Sequence, residues 1–424
     1  MKSAAGLLRS LVRTSTRQGK SVNKLMTALF KAATPPAPKR KRAPATKVAK
    51  VANVVAPKVA KAAAPKVPKV AGAVGVKPVK VAAARSAAPR AAAVKSAASS
   101  RAAPSCAAPT PQTPPAPGRW LASHHAMPAG VGAPAQRMSY WLYLPNNVPD
   151  QAARLGLPLV VMLHGCQQTA TQFAQGTRMN QWAEQMGYAV LYPQQPVSSH
   201  AQRCWKWYDR ATQEGGGDVP IIVGMVNKVI TEHPIDRSRI YIAGISAGAG
   251  MANIVALNHP RLFAAVGMHS GPVYGSGHSS IGALGVMRHG GGVRADMAVR
   301  EVLARQPQFP GMPTISIQGE GDSVVRPINQ TQLARQSMAF NGIGAVAQPK
   351  ITLKSQGRGG RHNAHQIRDF YDGRKLLLRV AQIEQLEHAW SGGDEALAYN
   401  AKAGPDATKM MLEFFGRQHR APAR

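Results

Sequence analysis

Acidic residues are missing from the first 149 positions of this 424-residue chain. The first acidic residue is Asp150. Residues 1–117 hold 23 of the 53 Lys and Arg residues, whereas all 19 Asp and Glu residues lie beyond them. The Ala, Pro, Lys and Val of this segment supply few large side chains to offset the entropy of ordering a chain. We therefore expect a disordered basic segment over 1–117, a linker over 118–136, a folded domain over 137–418 and a tail over 419–424.

Cysteine is also scarce. The three residues Cys106, Cys166 and Cys204 are too few for a disulfide-dense scaffold. No cluster of metal ligands stands out in the sequence, so neither a metal nor a cofactor is predicted. Basic residues interrupt the apolar positions near Met1, which argues against a signal peptide, and no segment is apolar over the length of a membrane span. The expected location is the cytoplasm, with export by a non-standard route as the alternative; the sequence does not predict the oligomeric state.

Aromatic residues are absent from the Lys- and Pro-containing repeats of residues 47–81. Proline blocks helix and spaced lysines repel one another, so the repeats favour an extended chain. Lysine binds phosphate without sequence preference, and stacking on bases is not indicated. Before the repeats, residues 6–13 and 25–30 could form basic amphipathic helices. Two interpretations stay open, a tether to nucleic acid or to a polymer granule surface and a plain solubilising linker.

Beyond residue 137, apolar β-branched runs alternate with helical patterns. Strands are predicted over 139–145, 157–166, 188–193, 239–245, 263–269, 313–318, 347–353 and 375–384, and helices over 171–186, 219–233, 247–257, 326–340 and 405–415. This alternation is typical of a mostly parallel sheet with helices on both faces, whose reactive groups gather at the carboxyl ends of the strands. Residues 273–294 are rich in Gly, Ser and His and are expected to form an irregular loop on the substrate side, or an insertion.

A strand and a helix meet at Gly244-Ile-Ser-Ala-Gly248. A strand that turns into a helix within one residue forces that residue into a strained backbone, which small neighbours tolerate. The turn lifts the serine oxygen clear of the sheet edge and directs the first helical N–H groups toward any oxyanion formed there. Ser246 is therefore the candidate nucleophile. The alternative is that the pentad arises by chance in a chain with 40 glycines.

A serine hydroxyl needs a histidine to take its proton and an acid to orient that histidine. The order Ser, acid, His is the one found in α/β-hydrolases. Asp322 follows the strand over 313–318, although it could be a turn former or helix cap, with Glu320 as the nearest substitute. His388 lies in a glycine-closed loop after the last strand. Its rivals are His164, His269 and His362.

Backbone N–H groups are expected to stabilise the oxyanion of such a reaction. We predict them at Ala247, the residue after the nucleophile, and at Cys166, in the His-Gly-Cys loop after the second strand. Cys166 is not predicted to be a nucleophile, because no His–acid set remains for it. For Cys166 and Cys204 the plain alternative is that they are buried thiols.

Several motifs together resemble the poly(3-hydroxybutyrate) depolymerase family of esterases, which is related to feruloyl and acetylxylan esterases. They are Leu163-His-Gly-Cys-Gln-Gln-Thr-Ala-Thr-Gln-Phe173, Tyr192-Pro-Gln-Gln195, Cys204-Trp-Lys-Trp-Tyr208, Gly244-Ile-Ser-Ala-Gly248, His269-Ser-Gly271 and His388-Ala-Trp-Ser-Gly-Gly393. The resemblance covers roughly 137–417 and implies an α/β-hydrolase fold. By the same resemblance, Ser246, Asp322 and His388 fall on the family's triad, and Cys166 and Cys204 fall on cysteines that secreted members can pair.

Two departures from the family pattern flank this triad. Gln318 stands where a histidine often precedes the acid, and Leu386-Glu387 replaces a glycine-rich lead into the histidine. Secreted members also tend to carry a signal peptide and a C-terminal polymer-binding module, neither of which is recognised here. The departures at Gln318 and Leu386-Glu387 leave all three residues of the triad in place.

Large aromatic residues complete the expected site. Trp205, Trp207, Tyr208 and Trp390 are candidates to line a substrate cleft, with core packing as the alternative. By resemblance, the expected function is a serine esterase acting on a short-chain polyhydroxyalkanoate or its oligomers. A feruloyl or acetyl esterase, and a granule or nucleoid organiser with a vestigial hydrolase fold, are the alternatives.

Overall fold

The structure, a computed structural model, describes residues 116–129 and 135–420. The predictions for the basic segment, its repeats and its two amphipathic helices therefore lie outside the described residues, apart from positions 116 and 117. The strands are β1 Arg119–Met127, β2 Gln136–Leu144, β3 Leu157–Leu163, β4 Ala189–Pro193, β5 Ile235–Ile245, β6 Ala265–His269, β7 Thr314–Gly319, β8 Lys350–Lys354, β9 His365–Asp372, β10 Lys375–Ile383, β11 Trp390–Ser391 and β12 Asn400–Ala401. The α-helices are α1 Asp150–Leu155, α2 Ala170–Gly176, α3 Met179–Met186, α4 Arg210–Gln213, α5 Val219–Glu232, α6 Ala247–Asn258, α7 Ser280–His289, α8 Gly292–Arg305, α9 Ile328–Phe340 and α10 Ala407–Phe415, and Arg358–Gly360 forms a 3₁₀ turn.

Ten strands form one sheet in the order β1-β2-β4-β3-β5-β6-β7-β10-β9-β8. The six central strands, from β4 to β10, pair in parallel. Two antiparallel strands flank them on each side. Chain order reverses between β3 and β5, because β3 leads outward to β4 on one side and pairs with β5 on the other. In open parallel sheets, the crevice at such a reversal is where ligands bind.

The central strands are apolar on both faces because helices cover both. Val161 and Ile242 pack in one cluster with α5, α6, α7, α8 and α9. Val160 and Tyr241, their neighbours along the strands, pack in a second cluster with α2, α3 and α10. Successive side chains of a strand point to opposite faces, so a strand buried on both sides reads as one continuous apolar run. The predicted mostly parallel sheet with helices on both faces is confirmed.

The predicted linker over 118–136 is wrong in its first half. Residues Arg119–Met127 form β1, which pairs antiparallel with β2 from Arg119 opposite Leu144 to Met127 opposite Gln136. From Leu121 to Met127, every second residue of β1 is partly buried and the rest are exposed. The apolar content of Arg-Trp-Leu-Ala-Ser-His-His-Ala-Met is too low to indicate a strand by itself, and the neighbouring β2 decides its conformation.

The structure differs from the sequence prediction in three further segments. The loop expected over 273–294 contains α7, whose Ser279 Oγ accepts the Gly282 N–H at 3.0 Å, and the start of α8. Strand β9 was not predicted at all. The second residue of the expected tail over 419–424 is anchored to the domain, since the guanidinium of Arg420 donates to Phe263 O at 2.8 Å. Within the described ranges, no helix combines the length and apolar character needed to cross a bilayer.

Candidate active site

Ser246 occupies a sharp turn between β5 and α6. Its backbone has φ 56° and ψ −123°, a region that side chains other than glycine rarely adopt. A Cβ on Gly244 would lie 2.5 Å from the carbonyl carbon of Gly248, and a Cβ on Gly248 would overlap the Leu163 carbonyl oxygen. Both glycines are therefore needed for β3, β5 and α6 to meet at this corner, as the sequence predicted for a strained elbow.

The turn lies at the chain reversal of the sheet. Ser246 follows β5, and the His164-Gly165-Cys166 loop follows β3, its parallel neighbour. Ala247 is the first residue of α6, where a backbone N–H has no acceptor within the helix. The two segments predicted to supply the nucleophile and the oxyanion donors thus share one edge of the sheet.

Asp322 and His388 meet at this same edge. His388 Nδ1 lies 2.8 Å from Asp322 Oδ2, and both side chains are buried. Asp322 lies in the turn after β7 and His388 in the loop after β10, which pairs in parallel with β7. The pair is therefore brought together across 66 residues of sequence. An acid bonded to Nδ1 leaves Nε2 as the nitrogen that can exchange a proton with a nucleophile.

A set of donors holds the Asp322 carboxylate in place. The N–H groups of Val324 and Val325 donate to Oδ1 at 3.0 and 2.9 Å, and Gln318 Nε2 donates to Oδ2 at 2.9 Å. Burial on its own raises the pKa of Asp322, but the attraction of His388 and the hydrogen bonds from His388, Val325 and Ser270 outweigh it and hold this pKa below its usual value. The carboxylate is therefore ionised at neutral pH.

The departures from the family pattern have structural counterparts. Gln318 also donates to Val325 O at 2.9 Å, so this side chain ties the strand end to the turn that presents the acid. Leu386 O accepts the Gly321 N–H at 3.0 Å, so the segment before His388 packs directly on the acid's turn. Glu320, the alternative acid, is exposed to solvent. Sequence reasoning missed the part played by Gln318, whose only signal was its place four residues before Asp322.

A disulfide holds the loop that carries Cys166. Cys166 and Cys204 are bonded, with their Cα atoms 4.3 Å apart. The N–H groups of Gly165 and Gln167, on either side, donate to Gln168 Oε1 at 2.8 Å and to Gln202 O at 2.7 Å. The pairing that the resemblance implied is present, and the buried-thiol alternative is wrong. The N–H of Cys166 therefore belongs to a loop with little freedom.

The rival histidines have other surroundings. His164 is buried, and its Nε2 accepts the Gln195 N–H at 3.2 Å. Burial lowers the pKa of His164 to about 4, so its ring is neutral at pH 7. His362 lies in the turn before β9, with Nδ1 3.4 Å from Asn363 O. His269 is the last residue of β6, and its Nδ1 lies 3.1 Å from Ser270 Oγ. Of the four candidates, His388 is the one bonded to the predicted acid.

The predicted aromatic cleft is wrong for its tryptophans. Trp205 and Trp390 are 0% exposed and Trp207 is buried as well, which is the core-packing alternative. Trp205 Nε1 donates to His164 O at 2.9 Å, so this ring supports the loop of Cys166 from behind. Tyr208 alone is partly exposed, and its hydroxyl accepts from Ser280 Oγ at 3.3 Å. The pattern failed because aromatic clusters look alike in cores and in clefts.

The sheet order, the elbow at the chain reversal and the acid after β7 define an α/β-hydrolase. Among solved structures, the acetyl xylan esterase from Aspergillus awamori superposes with a TM-score of 0.53 at 20% identity, over 69% of this chain and 99% of that one. That likeness supports the fold alone. The chain belongs to the family described as Esterase PHB depolymerase, whose model matches residues 138–352. The resemblance drawn from the motifs is thereby confirmed.

Curated relatives fall into the two groups that the motifs suggested. Poly(3-hydroxyalkanoate) depolymerase C of Paucimonas lemoignei is 31% identical over 220 residues, 51% of this chain and 51% of that protein. Feruloyl esterase B of Neurospora crassa is 37% identical over 150 residues, 34% of this chain and 50% of that protein. The chain thus spans about half the length of these two relatives.

Proposed function

We propose that this protein is a serine esterase that hydrolyses carboxylic ester bonds through Ser246, His388 and Asp322. The observation that carries the proposal is the buried 2.8 Å contact between His388 Nδ1 and Asp322, at the sheet edge where Ser246 forms its strained elbow. The family and its curated relatives support the same class of reaction.

In the proposed reaction, His388 Nε2 removes the proton from Ser246 Oγ as that oxygen attacks the ester carbonyl. Asp322 keeps the imidazole in the tautomer with Nδ1 protonated and stabilises the imidazolium as it forms. The N–H groups of Ala247 and Cys166 donate to the oxyanion of the tetrahedral intermediate. Protonated His388 then passes its proton to the leaving alcohol, and a water activated by His388 releases the acid from Ser246.

The proposed substrate is a short-chain polyhydroxyalkanoate such as polyhydroxybutyrate, or its oligomers. The relative from Paucimonas lemoignei supports this choice, whereas the feruloyl and acetylxylan esterases support an aryl or acetyl ester bound to carbohydrate. Hydrolysis of amorphous polyhydroxybutyrate beside methyl ferulate separates the two. Faster release of ferulate at equal enzyme concentration would reject the polyester assignment.

The basic segment of residues 1–117 is proposed as a tether to a granule surface or to nucleic acid. Its 23 positive charges and absent acidic residues are the support. The compartment is a separate proposal. Because disulfides persist in oxidising compartments, the Cys166–Cys204 bond supports the extracellular alternative over the cytoplasmic expectation.

Turnover of p-nitrophenyl butyrate tests the enzymatic proposal. Ser246→Ala is expected to lower kcat by at least about 10⁴-fold with the fold intact, because it removes the nucleophile of a unit whose members act together. Ser355→Ala, at an exposed serine that follows the outermost strand β8, five strands along the sheet from β5, is the matched control and should leave kcat unchanged. Equal turnover by wild type and Ser246→Ala would reject the mechanism, and a wild type without turnover would favour the organiser with a vestigial hydrolase fold.

A further inference from the structure

His269 contacts the two segments that carry the proposed nucleophile and the proposed base. Its backbone carbonyl accepts the Ser246 N–H at 2.9 Å, because β5 and β6 pair in parallel up to Ile245 opposite His269. Its ring lies on Trp390, with centroids 5.1 Å apart and planes 25° apart. Trp390 and Ser391 directly follow the loop of His388. One buried residue thus joins the nucleophile's strand to the loop that carries the proposed base.

Hydrogen bonding determines which ring nitrogen of His269 carries the proton. The Ser391 N–H donates to His269 Nε2 at 3.3 Å, so Nε2 has no proton and Nδ1 has one. Nδ1–H then donates to Ser270 Oγ at 3.1 Å. Burial, followed by the repulsion of His388, lowers the pKa of His269 to about 3, which agrees with a neutral ring. The tautomer of His269 is therefore set by the backbone N–H of Ser391, because a backbone N–H can only donate.

The charge of Asp322 determines the direction of the interaction between Ser270 and Asp322. The Ser270 side chain interacts with the Asp322 carboxylate and contributes to lowering its pKa; because an ionised carboxylate can only accept, the Ser270 hydroxyl is the donor. The Ser270 hydroxyl has a single proton, which it donates to Asp322, so toward His269 it acts as the acceptor. A directed chain therefore runs from Ser391 N–H through His269 and Ser270 to Asp322, which also accepts from His388 Nδ1.

We propose that His269 and Ser270 form a positioning pair for the ester hydrolysis, in which Ser270 sets the orientation and charge distribution of Asp322 and His269 holds both Ser270 and the His388 loop. Both side chains are fully buried, and Ser270 has φ 48°, so the pair is built into a strained turn rather than resting on the surface. The inference rests on the proposed function, since it assigns residues that support the same reaction.

Ser270→Ala is the first test. Removing one donor leaves the Asp322 charge less dispersed and the carboxylate less well oriented. We expect kcat on p-nitrophenyl butyrate to fall roughly 10- to 100-fold, the size typical of residues that orient a reacting group, with KM within about 2-fold. The acid limb of the kcat/KM profile should move to higher pH, because a less dispersed charge favours the imidazolium. A residue with a merely structural role would not move that limb.

Two substitutions separate the functions of His269. His269→Asn places an amide N–H near Nδ1 and keeps the donor to Ser270, while losing the acceptor for Ser391. His269→Gln places an amide oxygen near Nε2 and keeps that acceptor, while losing the donor. We expect both to lower kcat, and only His269→Gln to move the acid limb in the direction of Ser270→Ala. An identical acid limb in wild type, Ser270→Ala and His269→Gln, with kcat within 2-fold, would overturn the proposal.

Control variants distinguish positioning from loss of fold. Thr314→Val removes a buried hydroxyl that donates to Met312 O at 2.8 Å, at the opposite end of β7 from Asp322, and should lower stability without changing the pH profile. If Ser270→Ala does not fold, Ser270→Gly accommodates the positive φ and makes the same kinetic test. The NMR resonance of the His388 Nδ1 proton provides a readout without turnover. If wild type hydrolyses no ester but this resonance shifts in Ser270→Ala, the esterase proposal fails, whereas the support of the Asp322–His388 contact by Ser270 stands; a resonance unchanged in every variant refutes that support.

Discussion

Breaking the Cys166–Cys204 disulfide should lower both stability and activity. The bond closes a loop with a sequence separation of 38 residues. In the chain-entropy description, opening a loop of that size raises the conformational entropy of the unfolded chain and so lowers the free energy of unfolding by about 4 kcal/mol at 25 °C. For a folded domain of this size, the loss corresponds to a fall in Tm of roughly 8 °C.

The effect on activity follows from the position of Cys166. Its N–H is a proposed oxyanion donor, and the hydrogen bonds of Gly165 and Gln167, on either side, to Gln168 and Gln202 do not involve the sulfur atoms. The loop should therefore loosen rather than collapse. The expected fall in kcat is bounded by the roughly 10²- to 10³-fold cost of losing one oxyanion donor completely.

The assay compares urea unfolding and p-nitrophenyl butyrate turnover in oxidised wild type, reduced wild type and the double variant Cys166→Ala/Cys204→Ala. The two disrupted forms should agree with each other. Cys106→Ser is the control, because Cys106 takes no part in the disulfide, and it should match oxidised wild type. If the unfolding free energies of all samples agree within about 1 kcal/mol, the stability prediction is refuted. If kcat is unchanged in the disrupted forms, the activity prediction is refuted.

Three further predictions concern pH, the elbow and the N-terminal strand. Burial holds the pKa of His164 at about 4 and that of His269 at about 3, so below pH 6.5 the unfolded chain binds more protons than the native one. The unfolding free energy should then fall as the pH is lowered below about 6.5, by up to about 1.4 kcal/mol per pH unit for each imidazole. In His269→Gln, the unfolding free energy from urea titrations should depend less steeply on pH. Gly248→Ala forces a Cβ into two backbone carbonyl oxygens and should abolish turnover and lower Tm, whereas Gly344→Ala, with open space around it, should do neither. Deleting residues 1–115 should preserve Tm, but deleting 1–134 removes β1 and its pairing with β2 and should lower Tm by several degrees; equal melting of the two truncated chains would contradict the role of β1.

Local patterns were enough to predict the elbow. The fit of Gly244 and Gly248 around Ser246 depends on backbone sterics within five residues, which the sequence states directly. The parallel sheet followed from the alternation of apolar runs with helical periods, since each strand must be covered on both faces. The order of nucleophile, acid and histidine along the chain then indicated Asp322 and His388, whose catalytic roles are proposed here.

Tertiary structure decided what depends on residues far apart in the chain. The backbone N–H of Ser391 donates to His269, 122 positions earlier, and no local pattern records that contact. β1 is a strand because β2 lies beside it, and Trp205 is buried because the fold covers it. The sequence by itself determined the class of fold and the residue types at the sheet edge, because these follow from short-range sterics and periodicity. Only the tertiary structure determined which buried polar groups satisfy one another, because a hydrogen bond needs a partner in space rather than in sequence.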